Sequence, residues 1–280
     1  MKKIMLCLLV MAFALPSHAQ IQTPQPSPFS KVEQKVGLTD VTLEYSRPSA
    51  KGRKIYGDLV PFDKLWRTGA NKNTTITFSD PVKVGETNVP AGSYAIFTKP
   101  GAKSWEVYFY SDTNNWGTPQ NWDEAKVAAT ITLQVEKLPF KVETFSMLFG
   151  DLKNDSAKLE IIWESTLVEI PFSVPTSQKA IQSIEAVMGG PSAGDYYSAA
   201  SYYLDENKDL DKALVWINKA IEMRESPAFW YYRKKSLIQA AKGDKKGAVT
   251  SAKKSLGLAE KAGNTDYVKM NKESIAKWSK

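Results

Sequence analysis

The sequence predicts an all-β antiparallel sandwich or barrel domain followed by an all-α domain of helical hairpins. Three observations carry this reading. Short segments rich in β-branched and aromatic residues recur from Val41 to Trp163, with turn signals between them. No long helical pattern separates them, which argues against a parallel α/β sheet. After Pro175 the composition turns to Ala, Lys, Leu, Tyr and Ile, with few turn residues.

The chain opens on Lys2 and Lys3, an apolar run from Ile4 to Leu15, then Pro16-Ser17-His18-Ala19 and a polar turn at Gln20. This pattern predicts a signal peptide over residues 1–19, cleaved between Ala19 and Gln20. The apolar run is shorter than the roughly 20 residues a membrane helix needs. The expectation is an exported protein, periplasmic or secreted, with no membrane span after cleavage. The sole cysteine, Cys7, and the sole histidine, His18, fall in that leader. The remaining chain can form no disulfide and can run neither a Ser-His-Asp nor a Cys-His mechanism. It also lacks the usual ligands for transition metals, which leaves only oxygen-bound calcium or magnesium chemically open. No cofactor and no metal site is assigned.

Charge is divided unevenly. The whole chain carries +7, and loss of Lys2 and Lys3 lowers this to +5. Residues 28–175 hold 17 basic and 18 acidic side chains, whereas residues 176–280 hold 18 and 12. The basic excess therefore belongs to the helical half and favours an acidic partner or surface. Nucleic acid is not an expected partner of an exported chain.

Residues 20–30, rich in Pro, Gln and Ser, read as a linker. The β domain is placed at 31–175. Its strands are expected at 41–45, 74–78, 94–98, 105–110, 127–135, 144–149 and 158–163. Turns fall at Ser79-Asp80-Pro81, Pro90-Ala91-Gly92, Lys99-Pro100-Gly101, Asp112 to Asn115 and Lys153-Asn154-Asp155.

The helical domain is placed at 176–280. Ala213-Leu214 and Ala220-Ile221 are followed 35 residues later by Ala248-Val249 and Ser255-Leu256. A period near 34, with small residues where paired helices touch, resembles a tetratricopeptide repeat. Asp209 and Asp244 fit as N-caps, and Pro227 fits the first turn of the next helix. A final helix, from about Thr265 to Trp278, is expected to cap the stack. Such repeats commonly dock a protein segment.

The segment from Tyr45 to Asn71 is the most unusual. It concentrates Arg47, Lys51, Arg53, Lys54, Lys64 and Arg67 against Asp58 and Asp63 alone. Gly52, Gly57 and Gly69 permit unusual backbone angles. Tyr45, Tyr56, Phe62 and Trp66 supply flat apolar faces. Arginine forks beside aromatic faces suit carboxylate, sulfate or phosphate, and aromatic faces with polar groups suit sugars. The candidate ligand-binding residues are Tyr45, Arg47, Lys51, Arg53, Tyr56, Trp66, Arg67 and Asn71. The competing reading is a structural loop in which Arg47, Arg53 and Arg67 pair with Glu44, Asp58 or Asp63.

These residues resemble the signature of an exported family of Gram-negative bacteria, domain of unknown function 2911. The resemblance covers roughly 28–175. It rests on Tyr45-Ser46-Arg47-Pro48-Ser49, Lys51-Gly52-Arg53, Ile55-Tyr56-Gly57 and Trp66-Arg67-Thr68-Gly69-Ala70-Asn71, with Pro90 to Tyr94 and Asn115-Trp116-Gly117 further on. It implies domain identity and export, and no particular chemistry.

Trp116 and Trp122 are further candidates for stacking on sugar rings or for packing at the sandwich edge. The preferred function is an exported, non-catalytic binding protein. Its β domain would hold an anionic or sugar ligand, and its helices would dock a protein. The alternatives are a hydrolase or lyase of acidic polysaccharide, using Tyr45, Lys51, Tyr56 and Asp58, and a structural envelope adaptor.

Overall fold

A computed structural model describes residues 23–187 and 190–280. The segment expected to be a signal peptide lies outside them. The chain divides into two compact units between Thr176 and Ser177.

Among the described residues the first unit holds ten strands in two antiparallel sheets that do not close into a barrel. They are β1 (Phe29–Val36), β2 (Thr39–Ser46), β3 (Thr75–Phe78), β4 (Val82–Val84) and β5 (Thr87–Val89), then β6 (Gly92–Pro100), β7 (Ser104–Tyr110), β8 (Val127–Gln134), β9 (Glu136–Gly150) and β10 (Ser156–Ser173). The larger sheet runs β1-β2-β3-β6-β7-β8 and the smaller β5-β4-β10-β9. Two-residue turns close β1–β2 and β4–β5, with Gly37 and Gly85 at φ +56° and +55° in the first turn position. That conformation is open to glycine at little cost.

Alternation along each strand builds the core between the sheets. In β10 the buried side chains are Ala157, Leu159, Ile161 and Trp163, then Thr166, Val168, Ile170 and Phe172. The parity changes at Glu164, which sits at φ +53° where the pairing with β9 slips. A bulge there keeps both halves of an 18-residue strand facing inward. Across the core, the Tyr45 hydroxyl donates to the Met147 carbonyl and accepts from the Met147 N–H, each at 3.0 Å. One side chain of β2 thus ties the larger sheet to β9 of the smaller.

After the sandwich the described residues form six helices: α1 (Thr176–Val187), α2 (Ala193–Asp205), α3 (Leu210–Glu222), α4 (Phe229–Ala241), α5 (Lys245–Lys261) and α6 (Thr265–Trp278). From α2 onward each helix packs on the next. Asp209 caps α3 by accepting from Lys212 N–H, and Asp244 caps α5 by accepting from Gly247 N–H. Pro227 is not in a first turn as expected; it precedes Ala228, the N-cap of α4. Small side chains make up much of the interior, with Ala200, Ala213, Ala220, Ala248 and Ala252 fully buried beside larger ones such as Ile217, Ile238 and Tyr231. Helices that meet through alanine approach closely without large side chains to interdigitate. Among the described residues no helix is long and apolar enough to cross a membrane.

Candidate functional site

Residues 47–74 connect β2 to β3 and form the segment the sequence singled out. A connection this long without secondary structure of its own is uncommon in a compact unit. Its path follows from unpaired strand edges. β3 reaches only to Phe78 and Thr75, so β6 beyond Ala95 lacks a neighbour on that side. The loop fills the gap: Trp66 and Thr98 exchange both backbone bonds, at 2.7 and 2.9 Å, and Asp63 N–H donates to the Pro100 carbonyl. At its other end Ala50 N–H donates to Glu143 and Phe145 N–H donates to Pro48, both at 2.8 Å, which pairs the loop with β9. One loop therefore satisfies an edge of each sheet.

This path requires strained backbone. Lys51, Asp63, Thr68 and Asn71 take φ of +50° to +61°, beside Gly52, Gly57 and Gly69 at positive φ. Such angles disfavour side chains with a Cβ, and they concentrate at functional sites. At Gly57 a Cβ would also strike the Phe62 ring.

The loop drives Tyr56 and Trp66 between the sheets. Trp66 lies 6.2 Å from Trp163 with rings 18° apart, and Tyr56 meets Trp105 edge-on at 4.9 Å. Phe145 packs edge-on against Trp66 and Trp163. The Trp163 indole N–H donates to the Glu143 carbonyl. The Tyr56 hydroxyl is buried and has no hydrogen-bond partner among the described residues. Burial, with the Glu164 carboxylate nearby, pushes its pKa well above the ordinary phenol value.

The eight predicted residues separate into three groups. Lys51, Arg53, Trp66 and Arg67 line one cleft of about 390 Å³, together with Pro48, Leu59 and Trp163. Tyr45 and Asn71 line a second cleft of about 340 Å³, with Glu44, Ser46 and Trp116. Ser27 belongs to the walls of both, and the Asn71 amide donates to the Ser27 carbonyl at 3.2 Å. Arg47 and Tyr56 line neither. The Arg47 guanidinium is committed to β9, donating to the Phe145 carbonyl at 3.1 Å and the Ser146 hydroxyl at 2.7 Å. Tyr56 is core.

The first cleft is cationic. Arg53 donates through Nε to the Ala50 carbonyl and through Nη2 to the Ser49 carbonyl. Arg67 donates through Nη1 to the Asn71 carbonyl at 3.0 Å. Carbonyls orient a guanidinium without neutralising it. Among the described residues Lys51, Arg53 and Arg67 form no ion pair, and no carboxylate lines this cleft. The expected pairing of Arg47, Arg53 and Arg67 with Glu44, Asp58 or Asp63 is thus replaced by bonds to neutral oxygens. The nearby Glu143 carboxylate instead accepts from the Lys51 backbone N–H at 2.7 Å.

The sequence reading missed Trp163, Pro48 and Ser27 as cleft residues. Trp163 carries no local signal beyond strand alternation, since β10 register alone aims it here. The two tryptophans at the β7–β8 connection diverge. Trp122 stacks on Tyr110 at 4.6 Å in a small outer cluster, whereas Trp116 is 76% exposed. Among the described residues no three His, Cys, Asp or Glu side chains gather as a metal site would need.

Two antiparallel sheets bridged by a strained, basic, aromatic loop define a β-sandwich domain with a rim cleft. The chain belongs to the protein family of unknown function DUF2911, whose family model matches residues 27–172. A solved structure with some likeness is the solution structure of protein BPP2914 from Bordetella parapertussis. It is 17% identical, with a TM-score of 0.32, over 35% of this chain and 85% of that one. That likeness is too slight to bear on the fold or the site. No curated protein matches the chain significantly.

Proposed function

We propose that this is an exported, non-catalytic binding protein whose β-sandwich holds an anionic ligand in the cleft bordered by Lys51, Arg53 and Arg67. The observation that carries the reading is the convergence of three cations on one cleft with no carboxylate in its lining. Guanidinium groups held by backbone carbonyls keep donors in a fixed plane, which suits carboxylate, sulfate or phosphate oxygens. Trp66 and Trp163 form an apolar wall beside them. Binding is favoured over turnover because residues 23–280 contain no His or Cys, and the lining offers no carboxylate as acid or base. The helical unit, with its basic excess and its resemblance to tetratricopeptide hairpins, serves as the protein-docking part.

The test is calorimetric titration of the purified protein with phosphate, sulfate and galacturonate at low and high salt. At least one should bind saturably and more weakly as salt rises. Arg53→Gln should weaken that binding about tenfold, which is about 1.4 kcal/mol, while melting stays near the parent value. Absence of saturable binding by all three, or equal binding by the variant, rejects the reading.

A further inference from the structure

The second cleft differs from the first in its charge and in its polar groups. Its charged lining residues are Glu44 and Lys72, one of each sign. Its uncharged polar lining is of hydroxyl and amide side chains, including Ser46, Asn71 and Thr75, with Tyr45 beside them. At its rim stand Trp116, 76% exposed, and Phe29, 65% exposed.

Trp116 thus offers an uncovered aromatic face beside the cleft. The chain nevertheless holds it there firmly. Asn73 is 4% exposed and grips the backbone on both sides of Trp116. Its side-chain amide donates to the Gly117 carbonyl at 2.9 Å, its Oδ1 accepts from Asn115 N–H at 3.0 Å, and its own N–H donates to the Asn115 carbonyl at 3.2 Å. Asp112 braces the same loop from the front, accepting from Asn114 N–H at 3.2 Å and from the Lys126 ammonium at 3.1 Å. Gly117, at φ +111°, lets the chain turn directly over Arg67. A buried amide spent entirely on one loop preorganises the aromatic face that loop carries.

We infer that this cleft is a binding site for an uncharged pyranose ring of an oligosaccharide, with Trp116 as its stacking platform. The C–H face of a pyranose matches the indole π face. Its ring of hydroxyls matches side chains that can both donate and accept, as Ser46, Asn71 and Thr75 can. Asn71 uses Nδ2 on Ser27 and Ser46 and keeps Oδ1 uncommitted among the described residues. A purely apolar ligand would leave these polar groups unpaired, and a charged one of either sign would meet a like charge at Glu44 or Lys72. The site is distinct from the anion cleft, although Ser27 walls both and Arg67 donates to the Asn71 carbonyl.

Maltohexaose, cellohexaose and N-acetylchitohexaose are suitable probes, read by saturation-transfer NMR and by tryptophan emission of the full chain. At least one should give ring-proton transfer and a saturable emission change. Both signals should be lost in Trp116→Ala and kept in Arg53→Gln. The solvent position of Trp116 means that Trp116→Ala should melt within a few degrees of the parent, so a lost signal reports the site. If all three sugars are silent, or Trp116→Ala responds like the parent, or the signal disappears in Arg53→Gln instead, the inference is overturned.

Discussion

The two units are built from opposite materials. The β-sandwich fills its interior with large rings: Trp105, Trp163, Phe78, Phe109 and Phe145 are almost fully buried. The helical unit fills much of its interior with alanine and serine, including Ala213, Ala252, Ser236 and Ser255. Large rings in the first unit do more than fill space, because they support a long loop that has few backbone bonds of its own. Small residues in the second let helices approach and fix their spacing. Removing volume should therefore harm the sandwich most, and adding volume should harm the helices most.

The largest expected effect comes from Trp163→Ala. It deletes the ring that stacks on Trp66 and touches Tyr56 and Phe145. The loss should be about 3–5 kcal/mol, measured by denaturant unfolding. Hydrogen exchange should show the lost protection in β9, β10 and residues 47–74, with the helices unchanged. A cost no larger than that of a surface substitution would break the comparison. Ala213→Leu should act in the opposite sense, overpacking the α2–α3 contact at a cost of about 1–3 kcal/mol. Here the lost protection should be confined to the helices.

Alkali should give the smallest contrast. Burial raises the phenol pKa of Tyr56 and Tyr94, and burial together with the Glu106 hydrogen bond pushes Tyr108 up to about 12. In the helical unit, burial raises Tyr197. A raised value means that the fold favours the protonated phenol. The associated stability is complete below about pH 10, the unfolded value, and falls as pH climbs from there toward 12. Melting measured from pH 9 to 12 should show the sandwich weakening more than the helices. Tyr108→Phe should flatten part of that slope.

How much of this was legible in the sequence depends on where the deciding contact lies. β7 and β8 announced themselves through unbroken alternation. β1 did not, because only Val36 among its side chains is fully buried and its inward positions alternate with Lys and Glu. β4 and β5 hold three residues each, too few to show a period. β10 was cut short at Trp163 because the bulge at Glu164 reverses the alternation that identifies a strand. In the site, the basic and aromatic run from Arg47 to Arg67 was visible, but its division was not. Arg47 and Arg53 look alike in sequence; one reaches β9 while the other curls back on its own loop. Trp116 and Trp122 were equally ambiguous, since Asn73, 43 residues before Trp116, decides which is held in solvent.

The turn between β1 and β2 bears on how this protein is best divided for laboratory work. A side chain at Gly37 would collide with the Thr176 hydroxyl and the Asn154 carbonyl, and that hydroxyl accepts from Leu38 N–H. Thr176, the last residue of the first unit and the first of α1, thus sits against the β1–β2 turn. A fragment stopped at Pro175 would lose the hydroxyl to which Leu38 N–H donates, while one ending at Thr176 or just beyond would keep it, so the two boundaries differ by one contact at the tip of the β1–β2 turn.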